Sequence, residues 1–381
     1  MKYKIAYCTP SLYIPGGIER VLTTKVNYFA DVLDYDIYII LTDGKDKQPY
    51  YPLSEKIHII QLDINFEELW HLSFFQKIPA YLFKQRIYRK RLKETLFKIH
   101  PDITVSLLRR EINFITSIKD GSKKIGEMHI NKDNYRNFEK NDTNKIKELF
   151  SKFWMRNLIS HIKKLDKLVV LSNEDKEKWS EINQVCVIPN PIASIPKEKS
   201  TLTNKKVIAV GRYVYQKGFD LLLQAWYIVN KKYPDWQLNI YGSGNKMEYM
   251  KLVTSSNIQD SCHLNDAVNN INDKYLESSI FVLSSRFEGF GMVIIEAMAC
   301  GLPSVSFACP CGPKDIISDG INGLLAENGN IEDLANKICT LIEDEGLRKK
   351  MGNNCASEVN KYRIEEVCKI WIKLFSSFNL K

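Results

Sequence analysis

The stretch that decides the fold reads SSRFEGFGMVIIEAMACGLP and runs from Ser284 to Pro303. It follows a four-residue apolar run, Ile280 to Leu283, which is typical of a buried strand. A short loop with Glu288 comes next, and then an apolar-periodic segment from Met292 to Cys300 that is stopped by a glycine and a proline. The pattern therefore predicts a strand, a glycine loop and a helix. Such a loop presents free backbone N–H groups and the positive end of a helix, which suits a phosphate group.

The same order of elements occurs elsewhere in the chain. Near the amino terminus, Lys4 to Cys8 predicts a strand, Gly16 and Gly17 lie in a loop, and Ile18 to Ala30 predicts a helix. The pattern restarts at Val207 after a stretch rich in Pro, Ser, Thr and Lys, residues 192–204, which is the best candidate for a linker. Alternating strands and helices on both sides of this linker predict two doubly wound α/β domains.

Composition narrows the class of protein. The 381 residues are 44% hydrophobic and 26% charged, which is typical of a globular protein, and the net charge of +9 favours anionic partners. No apolar run approaches the roughly 20 residues of a membrane-spanning helix, so a cytoplasmic location is expected. The nine cysteines contain no CxxC pair, so reduced thiols are expected and a zinc site is not.

Residues 74–98 are unusually basic, with eight Lys or Arg residues and one acidic residue, Glu94, interleaved with aromatic and aliphatic side chains. A segment of this kind can lie on an anionic membrane surface. It can equally be a solvated helix whose apolar side meets the core. Nucleic-acid binding would use the same charges, but no recognised motif accompanies them, and we expect no nucleic-acid partner.

Charged side chains that follow predicted strands are the candidates for chemistry. Arg212 and Lys217 flank one loop, and two cations there suit a diphosphate better than a carboxylate. Glu296, in the predicted helix, suits a neutral diol such as a ribose, whereas Glu288 can accept from sugar hydroxyls or stabilise positive charge on an anomeric carbon. His129 comes just past a short predicted strand, where imidazole is the usual proton shuttle, although a lone histidine is more often structural.

Several motifs together resemble the retaining glycosyltransferases of family 4. Glu288 and Glu296 match the E-x7-E signature of that family, within SSRFEGFGMVIIEAMACGLPSV. The resemblance extends to PGGIERV near the start, to LVVLSNEDKEKW and VIPNPI, and to GRYVYQKGFDLLLQA, YGSGN and GPKDIISDGINGLL. It covers most of the chain and is densest from 205 to 330.

The resemblance implies a GT-B fold, in which two Rossmann-like domains face each other across a cleft. An acceptor-side domain would occupy residues 1–195 and a nucleotide-sugar domain residues 196–365. A last helix, residues 366–381, would cross back to the first domain.

The resemblance also implies roles for individual residues. The diphosphate of the donor would bind Arg212 and Lys217, and its ribose would bind Glu296. The transferred sugar and the distal phosphate would contact Glu288 and the backbone around the glycine loop. The donor-binding set is then completed by Gly16, Gly17, Gly242, Gly289, Phe290, Gly291, Met292 and Val293. The expected catalytic residues are Glu288, His129, Arg212 and Lys217.

The implied reaction transfers a hexose or N-acetylhexosamine with retention at the anomeric carbon, without a metal or other cofactor. The loop CPCGPKDII looks like members that use UDP-hexoses, so a UDP-sugar is the expected co-substrate. The expected acceptor is a glycan or lipid-linked sugar of a surface polysaccharide, such as a capsule or lipopolysaccharide, with peripheral attachment to the inner face of the membrane. A GT-B nucleotide-sugar epimerase and a non-catalytic nucleotide-sugar-binding protein are the alternatives.

Overall fold

The computed structural model describes residues 2–135 and 145–379, which divide into two compact units. The first unit comprises residues 1–191 together with 367–381, and the second comprises residues 192–366. The predicted last helix forms as Ile364–Ser376, while residues 380 and 381 lie outside the described part of the chain.

The first unit is built on a parallel sheet of seven strands in the order β3-β2-β1-β4-β5-β6-β7. The strands are β1 Lys4–Thr9, β2 Asp36–Leu41, β3 His58–Gln61, β4 Ile103–Ser106, β5 Lys123–Glu127, β6 Lys167–Val170 and β7 Val185–Val187. The helices that follow them are α1 Gly17–Asp31, α2 Phe74–Ile99, α3 Lys145–Ile162 and α4 Asn173–Lys178. Central strands such as β4 are buried along their whole length, because parallel sheets are covered on both faces.

The second unit has a parallel sheet of six strands in the order β10-β9-β8-β11-β12-β13. The strands are β8 Lys206–Val210, β9 Gln237–Gly242, β10 Cys262–Asp266, β11 Ile280–Leu283, β12 Ser304–Phe307 and β13 Gly323–Ala326. The helices are α5 Phe219–Lys232, α6 Met247–Ser255, α7 Ile271–Leu276, α8 Met292–Ala299, α9 Pro313–Ile316, α10 Ile331–Glu343 and α11 Glu345–Glu358. The last described helix, α12 Ile364–Ser376, belongs to the first unit from Val367 onward. The prediction of two doubly wound α/β units is confirmed.

The basic segment of the sequence forms most of the long helix α2, whose two halves differ. In the second half Tyr88, Leu92 and Leu96 are fully or almost fully buried in the core of the first unit. In the first half Phe75 and Phe83 are 85% and 64% exposed, although both are aromatic. The second half of the helix therefore packs in the core, and the first half exposes apolar side chains.

The stretch that looks like a linker is held firmly by the second unit. Its first residue, Ile192, donates its N–H to the Tyr362 carbonyl at 2.8 Å. Further along, the Ser200 N–H donates to the Cys300 carbonyl at 2.9 Å, and Leu202 is buried. Its irregular composition therefore reflects a packed, non-repetitive segment that belongs to a folded unit.

Within residues 2–135 and 145–379, no helix combines the length and the apolar character that are needed to span a bilayer.

Candidate active site

The candidate site of the second unit lies where the order of its strands reverses. Strands β8 and β11 are neighbours, with Ile280 paired to Val207, and the sheet grows from β8 toward β9 and from β11 toward β12. The loops that leave the carboxyl ends of two such strands diverge and open a crevice, which is where open α/β sheets bind ligands. The loop after β8 carries Arg212 and Lys217, and the loop after β11 carries Glu288.

The structure brings Lys217 and Glu288 into direct contact. The ammonium nitrogen Nζ of Lys217 lies 2.6 Å from Oε1 of Glu288, and the two side chains are only 14% and 8% exposed. The hydroxyl of Ser285 donates to the same oxygen at 2.6 Å. The carboxylate is thus held by a cation and a hydroxyl from two different loops.

Glycines allow the strand ends beside this contact to approach closely. A Cβ on Gly242 would lie 1.7 Å from the carbonyl oxygen of Gly211, so only glycine fits at this end of β9. Gly218 has a φ of +61°, and a Cβ there would lie 2.1 Å from the Ser284 carbonyl oxygen. The aliphatic stem of Lys217 packs over Gly211, with Cδ 3.1 Å from where a Cβ would stand. Arg212 follows directly and is exposed, so both cations lie at the end of β8.

A second ion pair joins the same two loops. Arg286 donates through both terminal nitrogens to Asp220, at 2.8 and 2.6 Å, and also to the Tyr215 carbonyl at 2.7 Å. The guanidinium stacks on the Tyr215 ring, 4.0 Å from its centroid. Although partial burial raises the pKa of the Asp220 carboxyl, the Arg286 guanidinium lowers it further, so its pKa lies below its ordinary value. Arg286 therefore fastens the loop after β11 to the loop after β8 and to the first turn of α5.

The glycine loop itself ends at the amino terminus of α8. Gly291 caps the helix with a φ of +98°, and the Ile294 N–H donates to its carbonyl at 2.9 Å. The N–H groups of Met292 and Val293 begin the helix, where no preceding turn supplies an intrahelical acceptor. Next to Gly289, the Phe290 side chain is buried against Tyr362, with the ring centroids 5.8 Å apart, so Phe290 can offer a ligand only its backbone.

The loop that follows β12 contacts the glycine loop through backbone atoms. The Glu288 N–H donates to the Pro310 carbonyl at 3.1 Å. Gly312, with a φ of +118°, passes so close that a Cβ would lie 2.0 Å from the Phe290 carbonyl oxygen. Two independent backbone contacts thus fix the position of Glu288 and of the helix end.

Glu296 lies within α8 and is 8% exposed. The same helix carries Cys300, whose pKa is raised to about 12 chiefly by burial, with Lys199 opposing the shift and the Glu296 charge adding to it. The structure therefore places a buried carboxylate next to the glycine loop, and its contact with a ribose stays a prediction.

The remaining predicted residues, Gly16, Gly17 and His129, belong to the first unit. Gly16 precedes α1 and Gly17 begins it, with open space where a Cβ of Gly17 would stand. The Glu19 carboxylate folds back over Gly16, with one oxygen 2.1 Å from the position of a Cβ. A negative charge at this place is favoured by the helix dipole.

His129 lies two residues beyond β5, and its side chain is 5% exposed. Its Nε2 lies 3.3 Å from Oε1 of Glu127, the last residue of that strand. The Lys25 ammonium lies 2.5 and 2.6 Å from the two oxygens of the same carboxylate. Burial raises the pKa of Glu127, but Lys25 and His129 lower it more, to about 2.

The first unit also contains a large cavity at its own switch point, between β1 and β4. Its volume is about 1020 Å³, and it is bordered by the loop after β1, which carries Pro10 and Tyr13, and by Arg109 and Arg110 beyond β4. Glu19 of α1 lines it as well, so the cavity reaches the glycine loop. The aromatic side chains in its wall are Tyr13, Trp70, Tyr81, Tyr135 and Trp154.

The polar groups in this cavity are already engaged with one another. The Tyr13 hydroxyl donates to Glu67 at 2.6 Å, and Arg110 lies 3.4 Å from Asp43. Aromatic faces with a few convergent carboxylates and guanidinium groups can bind a polyhydroxylated ligand that also has apolar faces.

The sequence alone missed four side chains that shape the two sites. Lys25 lies on the apolar face of α1, one turn from Val21, and a lysine at such a position is a visible signal of a buried charge. Ser285 precedes Glu288 by three residues and carried no comparable signal. Asp220 and Arg286 are separated by 66 positions, and their pairing depends on the packing of β8 beside β11.

The chain was compared with known proteins. The model of the family described as Glycosyl transferases group 1 matches residues 192–357. An uncharacterized glycosyltransferase of Haemophilus influenzae is 30% identical over 375 residues, which are 97% of this chain and 98% of that protein. A poly(ribitol-phosphate) alpha-N-acetylglucosaminyltransferase of Staphylococcus aureus is 28% identical over 261 residues, 67% of this chain and 51% of that protein.

Among solved structures, this chain resembles a variant of TarM from S. aureus in complex with fondaparinux, alpha-GlcNAc-glycerol and UDP. The TM-score is 0.74 at 18% identity, over 98% of this chain and 99% of that one. Together with the two parallel sheets, this likeness confirms the predicted GT-B fold class.

Proposed function

Because the chain belongs to the group 1 glycosyltransferases, we propose that it transfers a hexose or N-acetylhexosamine from a UDP-sugar to a glycan or lipid-linked sugar, with retention at the anomeric carbon. The observation that carries the proposal is the contact between Lys217 and Glu288 at the strand ends of β8 and β11. It places a cation for a leaving diphosphate beside a carboxylate for the transferred sugar.

In the proposed donor complex, the diphosphate oxygens bind Lys217 and Arg212, and the first-turn N–H groups of α8 bind the distal phosphate. Glu296 accepts hydrogen bonds from the ribose hydroxyls. Glu288 exchanges part of its contact with Lys217 for a hydroxyl of the sugar. The uridine moiety is supported by the loop CPCGPKDII and by the presence of UDP with the structurally similar TarM.

The reaction needs stabilisation of the negative charge that develops on the leaving diphosphate. Two preorganised cations and a helix amino terminus supply it in a partly dry crevice, where such interactions are strongest. The departing phosphate oxygen accepts the proton of the acceptor hydroxyl on the same face of the sugar, so the configuration is retained. In this scheme the side chains provide the charge that a metal ion provides in other transferases.

The proposed acceptor site is the cavity of the first unit. Its aromatic wall suits the apolar faces of a saccharide, and Asp43, Glu67 and Glu19 suit sugar hydroxyls. Three cations, Lys77, Arg109 and Arg110, balance the three carboxylates, so the lining carries no net charge that would favour an anion. We therefore propose that the cavity takes the neutral sugar portion of the acceptor, and that a lipid anchor extends outward.

In the proposed complex, the lipid anchor contacts the exposed first half of α2. Ile78 and Leu82 line the cavity and are 48% and 55% exposed, and Trp70 beside them is 65% exposed. The helix continues in basic side chains that favour an anionic surface. This arrangement supports peripheral attachment to the inner face of a membrane and a role in surface polysaccharide assembly. The relative from S. aureus is named as a poly(ribitol-phosphate) alpha-N-acetylglucosaminyltransferase, which supports a polymer as the end product.

The test begins with thermal-shift screening against UDP-, GDP- and ADP-sugars, followed by turnover of the best binder with and without acceptor. We expect stabilisation by a UDP-sugar, a glycosylated product with the anomeric configuration of the donor, and full activity in EDTA. An inverted product would overturn retention, and activity lost in EDTA and restored by Mg²⁺ would overturn metal independence. Release of a free epimerised nucleotide sugar without acceptor would identify an epimerase.

The membrane attachment is tested separately by sedimentation with vesicles. We expect binding to vesicles containing anionic lipid and loss of binding when Phe75 and Phe83 are both replaced by Ser. The matched control is Phe97→Ser, on the same helix but beyond the exposed half. Equal binding to neutral and anionic vesicles would contradict the proposal.

A further inference from the structure

We propose that Lys25 and Glu127 are positioning residues for the reaction. In this view Glu127 fixes the orientation and the protonated nitrogen of His129, and Lys25 fixes Glu127. The inference rests on the proposed function and on the predicted catalytic role of His129. Lys25, Glu127 and His129 thus form one cluster in the first unit.

The burial of Lys25 is the first observation that supports the proposal, because removing an ammonium group from water costs free energy. Its side chain is 1% exposed, and its ammonium lies 4.3 Å from the Trp371 ring and 5.2 Å from the Tyr7 ring. A buried ion pair must offset the loss of hydration of both charges, so a pair of apolar residues would stabilise the fold as well or better. The pair therefore has no advantage for stability alone.

The position of Glu127 is the second observation, because one carboxylate oxygen lies close to both Lys25 and His129. Oε1 contacts Lys25 Nζ at 2.5 Å and lies 3.3 Å from His129 Nε2, while Oε2 accepts from Lys25 at 2.6 Å. Lys25 therefore holds the carboxylate in place. Among the described residues the buried Nε2 forms no well-directed hydrogen bond, so Oε1 acts on the imidazole through its charge. Its pKa of about 2 keeps it ionised at every physiological pH.

This geometry determines the chemistry of the imidazole. An ionised carboxylate at Nε2 favours a proton on Nε2, which leaves Nδ1 as the nitrogen that can accept a proton or a hydrogen bond from a ligand. Lys25 belongs to α1, which begins at the glycine loop, and Glu127 ends β5. The ion pair between Lys25 and Glu127 thus joins α1, the helix that begins at the glycine loop, to the end of β5, which precedes His129.

The decisive variant removes both charges together. Lys25→Met with Glu127→Gln leaves no buried charge without a partner, so we expect a folded protein with a circular dichroism spectrum and a Tm close to those of the wild type. We expect kcat to fall at least about tenfold, as for a misoriented group at the reacting centre, with little change in the KM of the donor. If the pair were only structural, this variant would recover full turnover with its stability, and the proposal would be overturned.

A double-mutant cycle provides the matched control. In a His129→Ala background, the same two substitutions should cause no further loss of kcat, because the group that they position is gone. A full additional loss in that background would show that Lys25 and Glu127 act through something other than His129.

The tautomer of His129 gives a readout that does not depend on turnover. With ¹⁵N-labelled histidine at mildly alkaline pH, we expect His129 to be protonated at Nε2 in the wild type and to become a mixture of tautomers in the double variant. Its signals are assigned by their absence in His129→Gln. An unchanged tautomer in the double variant overturns the proposal. Absence of sugar transfer by the wild type would instead count against the proposed function.

Discussion

The Lys217 ammonium lies 2.6 Å from the Glu288 carboxylate, although 71 positions separate the two residues in the chain. The contact exists because β8 and β11 are neighbours and their loops are clamped by Arg286 and Asp220. The cation and the carboxylate compensate each other's charge. A diphosphate and a sugar then bind by taking over contacts that the protein has already formed.

Replacing Lys217 with Ala should lower kcat by roughly 10²–10³-fold with the fold intact, because one of two cations facing the leaving group is lost. Turnover of the best UDP-sugar measures this effect. The matched control is Lys251→Ala, an exposed lysine of α6 in the same unit, which should leave turnover unchanged. Near-normal activity of the Lys217 variant would remove Lys217 from the site.

Replacing Arg286 with Lys should weaken donor binding although the charge is kept. A lysine cannot make two parallel hydrogen bonds to Asp220 or stack on Tyr215, so the two loops would separate more easily. We expect a higher KM for the donor and a smaller thermal shift on donor addition. Arg89→Lys, at an exposed position of α2, should change neither quantity. An unchanged KM in the Arg286 variant would show that the clamp does not support the donor site.

Replacing Gly218 with Ala should destabilise the second unit for two separable reasons. Its φ of +61° is unfavourable for alanine, and the new Cβ would collide with the Ser284 carbonyl oxygen at 2.1 Å. Gly329→Ala isolates the first reason, because Gly329 has a φ of +81° but open space around it. Urea unfolding should show a loss of about 1 kcal/mol for Gly329→Ala and a clearly larger loss for Gly218→Ala. Equal losses would mean that the loop after β11 moves aside freely.

The acid stability of the protein should depend on Glu127. Its pKa of about 2 in the folded state lies below its ordinary value of 4.5, so between these pH values the unfolded state binds the proton more readily. The stability that Glu127 contributes is therefore complete above pH 4.5 and is lost as the pH falls toward 2. The urea midpoint of the wild type should fall more steeply across this window than that of the variant with both Lys25→Met and Glu127→Gln, which buries no unpaired charge. Parallel curves for the two proteins would contradict the assignment.

The order of elements and the positions of the loops were predictable from the sequence. Short apolar runs such as Ile280 to Leu283 have few alternatives to a buried parallel strand, and glycines before an apolar-periodic segment mark a loop and a helix start. The candidate donor residues Arg212, Lys217 and Glu288 follow strand ends, and the topology brings two of those ends together.

The partners of these residues were less predictable, because they depend on packing between distant segments. The position of Lys25 on the apolar face of α1 signals a buried charge, but its partners Glu127, Trp371 and Tyr7 come from distant segments. The basic segment 74–98 offered a membrane face and a core face as alternatives, and the helix has both at different ends. Composition alone could not show which half of α2 is buried and which is exposed, because the burial of Tyr88 is a property of the tertiary fold.

The position of Trp371 and Phe375 also bears on how the protein is made. Phe375 contacts the rings of Tyr3 and Phe29, with centroids 5.8 Å away in both cases, and Trp371 covers Lys25. The residues that complete the core of the first unit thus leave the ribosome only after the whole of the second unit has been made. The amino-terminal unit of a nascent chain must wait for α12 before it is closed, and termination before Trp371 would release a protein with that core open to water.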